Sequence, residues 1–337
     1  METAHQGKHS LLFPQPPVLL AYASVAGKKE AEGPLKNTFD VTTTDTKFGQ
    51  KTWEKAETQM QKTAMLLAMQ KAELKETDLD AAFVGDLLNQ CIGSSFSMRN
   101  NGVPTFGLYG ACSTMAEGLV LAAMAVSGGF CRRTLTLSSS HFASSERQYR
   151  FPLGYGGQRT PTAQWTVTGA GAVILGSRGD GLRLKKATIG TIVDRGIKDA
   201  NNMGAAMAPA AFETLRAHFD DLHCAPEDYD LIVTGDLGSL GSRLVRELFE
   251  NEGVRLGMRY DDCGMMIFDP TQQDVHCGGS GCGCSASVLC GHLLGKMERG
   301  ELRRLLFCGT GALLSPLSTQ QGESIPAVCH AISIERG

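Results

Sequence analysis

The sequence predicts an α/β fold built from two copies of one unit, and three observations carry that prediction. The string Asp78-Leu-Asp-Ala-Ala-Phe-Val-Gly-Asp86-Leu87 is echoed by Asp228-Tyr-Asp-Leu-Ile-Val-Thr-Gly-Asp236-Leu237. Each copy follows a helix-like stretch and reads as a buried strand ending in Gly-Asp. Downstream of each lies a Gly/Cys/Ser turn and then an apolar helix, over residues 110–126 and 281–297. Each helix leads to paired arginines and a further strand, Arg132-Arg133 before 134–138 and Arg303-Arg304 before 305–308. Matched elements in the same order indicate duplication, with layered α/β units on mostly parallel sheets.

In chain order, residues 17–26 read as the first strand. Residues 52–74 follow as an amphipathic helix with Met60, Ala64, Leu67 and Met69 near one face. The polar stretch 138–168 carries few helix or strand signals, so it either covers a site or makes a surface excursion. Last strands close the halves at 170–175 and 327–334, and His330 falls on the second of these as a core residue. The Gly-Ser-Arg-Gly-Asp-Gly turn at 176–181 divides the chain into halves 1–178 and 179–337. His5 and His9 belong to a polar start expected to lie outside the ordered fold.

Composition excludes several classes. A net charge of -3 without a basic stripe argues against a nucleic-acid partner. Eleven cysteines are an odd number in a long chain, and residues 1–10 are polar rather than leader-like. A reducing intracellular compartment is therefore expected. No apolar run approaches the roughly 20 residues needed to span a bilayer.

Cys112 stands at the turn between an extended segment and the first apolar helix, in Tyr109-Gly-Ala-Cys112-Ser113. A thiol at a helix start meets the positive end of the dipole, which favours thiolate. Nucleophilic cysteines of acyl-transfer enzymes are placed this way, and a buried structural cysteine is the competing reading. In the second half, His276, Cys277, Cys282 and Cys284 crowd one glycine-rich loop. A contiguous loop leaves little geometry for a tetrahedral site, so neither metal nor cofactor is expected. Its glycines suit close approach of backbone N–H groups to a ligand.

An elbow cysteine in the first half of a duplicated α/β chain resembles the thiolase-like superfamily of thiolases and ketoacyl synthases. Thr168-Gly-Ala-Gly-Ala-Val-Ile-Leu175 is similar to the strand that closes the first half of those synthases. More specific strings are Ser139-Ser-His141, Glu146-Arg-Gln148, Arg150-Phe-Pro152 and Pro161-Thr-Ala-Gln-Trp-Thr-Val-Thr168. With Asp274-Val-His-Cys-Gly-Gly-Ser-Gly-Cys-Gly-Cys284, they make the chain resemble the stage V sporulation protein AD family from about residue 17 onward. The resemblance implies a thiolase-like duplicated α/β/α/β/α layered fold. It also implies binding of dipicolinic acid (pyridine-2,6-dicarboxylate) and its uptake into the developing spore, beside the membrane proteins of the SpoVA complex. A location peripheral to the inner spore membrane is implied too, as is a homodimer paired through the strand near 134–138.

Acyl transfer needs a general base and oxyanion donors. The resemblance places these on two second-half loops, the first with a histidine and the second with His or Asn. Gly235 or Asp236 stands at the first and Ser280 at the second, so both histidine positions are empty. A thiol without its imidazole loses about 10²- to 10⁴-fold of general-base help. Non-catalytic dipicolinate binding is therefore expected. The alternative is a thiolase- or ketoacyl-synthase-type acyltransferase using Cys112, with His276 or His141 as base; structural roles compete for both histidines. Cys308-Gly-Thr-Gly311 resembles the second Cys-x-Gly loop lining thiolase sites, against a strand-end turn with a buried thiol.

A planar dianion needs cations or N–H clusters for two carboxylates and a flat slot for the ring. Helix starts behind Cys112-Ser113 and Gly283-Cys284 offer anion sites. Arg147, Arg150 and Arg159 gather with Tyr149, Phe151 and Tyr155 in the irregular stretch. The candidate ligand contacts are Cys112, Ser113, His141, Arg147, Arg150, Arg159, Asp236, Ser280, Cys282, Cys284 and Cys308.

Overall fold

Each half contributes five strands to the main path of one mixed sheet in the computed structural model, which describes residues 4–150 and 158–337; three short strands of the first half pair off that path. The first half supplies β1 (Val18–Ala26), β2 (Ala81–Gly85), β3 (Thr105–Leu108), β4 (Arg133–Ser140) and β5 (Gly169–Gly176). The second supplies β6 (Leu182–Ile189), β7 (Leu231–Thr234), β8 (Tyr260–Asp262), β9 (Arg304–Ala312) and β10 (Ala327–Arg336). The spatial order β1-β5-β4-β2-β3 repeats as β6-β10-β9-β7-β8. The halves meet where β1 and β6 run antiparallel, with Val18 opposite Arg183.

The sheet departs from the mostly parallel expectation. Helical crossovers set β4, β2 and β3 parallel, and likewise β9, β7 and β8. The closing strands β5 and β10 instead run antiparallel to both neighbours.

The repeated aspartates explain why both halves fold alike. Asp78 accepts the Lys75 N–H at 2.8 Å, and Asp228 accepts the Ala225 N–H at 2.9 Å. Asp80 accepts the N–H groups of Arg132 and Arg133, as Asp230 does those of Arg303 and Arg304. Each acid satisfies donors that would otherwise be left unpaired at a strand or turn start.

Helices fill three layers around these strands. Helix α1 (Trp53–Lys71) starts at Thr52, whose hydroxyl accepts the Lys55 N–H. It buries Met60, Ala64 and Met69 against one face of the first-half strands, with Leu67 half-buried. A short α2 (Ile92–Met98) precedes β3, and α3 (Thr114–Ser127) follows it. Helices α5 (Met203–Asp221) and α6 (Gly238–Asn251) cover the outer face of the second-half strands. Between the halves, α3 and α7 (Cys282–Val288, continued by a π turn at Leu289–Leu293) share one core with strands of both. The arrangement is helix, sheet, helix, sheet, helix.

Several expectations need correction. The stretch 138–168 is not simply irregular: β4 extends to Ser140, and α4 (Phe142–Tyr149) follows. Trp165–Thr166 then pairs in parallel with Gly279–Ser280. Phe151, Pro152 and Tyr155 lie outside the described residues. The polar start belongs to the fold, since His5–Gln6 pairs with Ser10–Leu12, which joins β6. Asp221 accepts the backbone N–H groups of Lys8 and His9 there. Strand β4 has both edges occupied, by β5 and β2, so it offers no free edge to a second copy. The end strand of this half is β3. Among the described residues, no helix is long and apolar enough to cross a membrane.

Candidate functional site

The Cys112 turn is built by contacts from both halves. Ala111–Ser113 form a 3-10 turn leading into α3, and Ala111 takes a left-handed φ of 49°. The Ser113 hydroxyl donates to Gly110 O at 2.7 Å and the Thr114 hydroxyl to Ala111 O at 2.7 Å, closing the turn on itself. Strand β9 presses against it. A Cβ at Gly311 would stand 2.2 Å from Gly110 O, and one at Gly309 would stand 2.6 Å from the Ala116 Cβ. Only glycine permits that approach.

Asp236 is the centre of the site. It follows β7, is fully buried, and its Oδ2 accepts the Ser280 hydroxyl at 3.1 Å and the Gly281 N–H at 2.8 Å. Its Oδ1 accepts the Thr310 hydroxyl at 2.9 Å, and the Cys112 thiol stands close enough to the same carboxylate to be acted on by its charge. Burial raises the Asp236 carboxyl above its ordinary value. It also pushes the Cys112 thiol well above the ordinary cysteine value, with the charge of Asp236 adding to the shift. The thiolate expectation is thereby overturned. Burial and an adjacent carboxylate outweigh the partial charge of a helix start, and the sulfur is a thiol at neutral pH.

The second helix start is not an open anion site either. Asp236 takes the Gly281 N–H, and the Ser140 hydroxyl takes the Gly283 N–H at 3.0 Å. A carboxylate of the chain itself occupies the place reserved for a ligand carboxylate.

Cys112 opens on a cleft with about 390 Å³ of space, partly open to solvent. Leu87, Met203 and Leu314 give apolar walls, and Tyr109 and Tyr149 give aromatic ones. The Tyr149 hydroxyl bonds to Leu87 O and lies 2.6 Å from the Tyr109 hydroxyl. Among the described residues, Arg150 is the cation lining the cleft, with its side chain 9% exposed. Its guanidinium pairs with Glu146, whose Oε1 also accepts the Thr166 hydroxyl at 2.9 Å. Among the described residues, the Arg150 Nε is buried without a hydrogen-bond partner. That donor is available to a bound anion.

The other candidate residues scatter. Ser280 lines the cleft, and Cys282 packs beside Cys112, Leu87 and Tyr149 with its thiol donating to Ser139 O at 2.9 Å. Cys284 is buried behind Gly235, and Cys308 sits in the core under α5 and α6. Ser113 is consumed within its turn. His141 caps α4 through Nδ1 and bonds Thr46 O through Nε2 at 2.8 Å, and burial lowers its pKa. Arg147 pairs with Glu54 at the surface, and Arg159 pairs with Asp274 at 2.8 Å. His276 faces Asp274. None of these last four lines the Cys112 cleft among the described residues.

Sequence reasoning missed Gln164, whose amide donates to Asp236 O and Gly279 O, both at 2.7 Å, and so ties the two loops together. It also missed Glu146 as the partner of Arg150, although the four-residue spacing on a helix was a readable signal.

Known proteins supply the frame for this geometry. 3-Oxoacyl-[acyl-carrier-protein] synthase III from Aquifex aeolicus VF5 superposes with a TM-score of 0.57 at 14% identity, covering 95% of this chain and 99% of that one. OleA from Xanthomonas campestris does so with 0.63 at 16% identity, covering 98% and 99%. The fold is therefore thiolase-like. The family model for stage V sporulation protein AD matches residues 7–335. Stage V sporulation protein AD of Bacillus subtilis (strain 168) is 43% identical over 330 residues, which are 98% of this chain and 97% of that protein. The chain belongs to the stage V sporulation protein AD family.

Proposed function

We propose that this sporulation protein is a non-catalytic receptor for dipicolinate, serving its uptake into the developing spore beside the SpoVA membrane proteins. The observation that carries the reading is the neighbour of Cys112: a buried carboxylate, Asp236, at a loop where the resemblance to ketoacyl synthases implies an imidazole. Acyl transfer begins with a thiolate, and this carboxylate opposes its formation. His141 and His276, the alternative bases, stand outside the cleft lining.

Ligand chemistry points the same way. Arg150 offers to a carboxylate a buried Nε that has no partner among the described residues, and the tyrosine and leucine walls suit a flat ring. Pairing of two copies belongs to the same reading, along the end strand β3, where Phe106 is 58% exposed. Sedimentation velocity reads it.

Calorimetry with dipicolinate, phthalate and pyridine-2-carboxylate tests the receptor role. Dipicolinate is expected to give heat, and Arg150→Ala to weaken it about tenfold or more, the effect of one lost charge-assisted hydrogen bond. No heat with dipicolinate, or a thioester on Cys112 after exposure to acyl-CoA, would sink the proposal.

A further inference from the structure

Helix α4 borders a second cleft. Its Ser145 and Tyr149 line the Cys112 site, whereas its Phe142 and Ala143 line a space of about 830 Å³, partly open to solvent. Both tryptophans of the chain, Trp53 and Trp165, are on the walls of this second cleft. Phe142 stacks on Trp165 with 3.8 Å between ring centres. Lys29 Nζ lies 3.8 Å from the centre of the Trp165 ring, and Lys47 Nζ lies 5.9 Å from that of Trp53. Cation–π contacts of this kind hold ammonium groups against ring faces.

Charge distinguishes the place further. Arg147 and Arg159 also lie over the two indoles, but each already has a carboxylate, Glu54 or Asp274. Lys28, Lys29 and Lys47 make no ion pair among the described residues. Against them stand Glu32 and Glu30. Glu30 is buried, accepts the Thr168 N–H at 3.0 Å, and is held by burial at about 7, so it is only partly ionised near neutrality. A net positive charge remains. Lys29 is itself half-buried, and its pKa is lowered by that burial and by Arg159. The charges of Asp274, Glu30 and Glu32 offset that only in part, so the ammonium gains from an incoming anion.

We propose that this tryptophan-lined cleft is a second ligand site, taking a flat ring that bears a carboxylate or a phosphate. The indoles and Phe142 supply apolar ring contacts, and Lys28 and Lys29, which line the cleft, supply the counter-charge. The Cys112 cleft contributes nothing to it, so this assignment stands apart from the receptor reading. Carboxylated and phosphorylated rings share the chemistry, and two probes separate them.

Because the chain has two tryptophans and both line the cleft, indole emission reads binding there directly. Titration with dipicolinate and with adenosine 5′-monophosphate is expected to give a saturable change with at least one. The double variant Lys28→Ala/Lys29→Ala should weaken that binding about tenfold or more. Arg150→Ala should leave it within about twofold, since Arg150 belongs to the other cleft. The inference is overturned by no saturable change with either probe, by wild-type binding in the lysine variant, or by loss in Arg150→Ala. Dipicolinate heat that survives Arg150→Ala but is lost in the lysine variant would sink the receptor reading and leave this one standing, and the reverse pattern would do the opposite, so the two proposals fail separately.

Discussion

The two copies of the Asp-x-Asp…Gly-Asp-Leu string do identical work for most of their length and then part at the final aspartate. Asp78 and Asp228 cap the same turn, and Asp80 and Asp230 hold the same pair of arginine amides. Asp86 stays within its own half, accepting the Leu88 N–H, the Ser94 N–H and the Ser94 hydroxyl at the start of α2. Asp236 instead reaches across to Cys112 and to the loop before α7. Duplication thus produced two equivalent acids, and only the one facing the other half entered the site.

The sharpest way to break that distinction is to neutralise each acid in turn. Asp236→Ala and Asp86→Ala should each destabilise by about 3 kcal/mol or more, because several buried donors lose their acceptor. Denaturant titration measures that. The isosteric changes then separate the roles. Asp236→Asn removes the charge opposing Cys112 ionisation, and alkylation of Cys112 by iodoacetamide, followed by peptide mass spectrometry, should accelerate about tenfold. Asp86→Asn should leave that rate unchanged. Equal rates in the two variants would erase the difference.

A smaller effect is expected from Gly311→Ala. Its Cβ would meet the Gly110 carbonyl, so the turn must shift, costing about 1–3 kcal/mol by denaturant titration. Wild-type stability would mean that β9 does not constrain the turn.

The smallest effect is a pH slope. Each half buries an extra acid beside the diverging one. Glu57 is raised to about 8 by burial and the Asp86 charge, and Asp262 to about 7 by burial. The unfolded chain releases these protons near ordinary carboxyl values, whereas the folded chain holds them longer. Between those values the native state binds more protons, so stability falls as pH rises and levels off above about 8. Glu57→Gln should flatten the upper part of the slope in urea titrations at several pH values. An unchanged slope would show that Glu57 ionises normally.

Much of this architecture was legible because the signals were local. The aspartate caps, the apolar helices after each turn and the closing strands are written in short strings. The polar octet of α4 lacks apolar periodicity, so only tertiary contacts reveal it as a helix. Strand β6 and the antiparallel direction of the closing strands were likewise invisible to short-range patterns. At the site, Cys112, Asp236 and Ser280 were legible as positions, but the protonation of the sulfur was not. The helix start argued for thiolate, and burial beside a carboxylate contributed by the other half of the chain reversed the sign. The arginines show the same limit. Arg150 turns toward the cleft, whereas Arg147 and Arg159 are held by Glu54 and Asp274.

The bare backbone of Gly309 and Gly311 lies against the cysteine turn of the opposite half. The sulfur therefore sits on the seam of the molecule. Neither half expressed alone would present this surface.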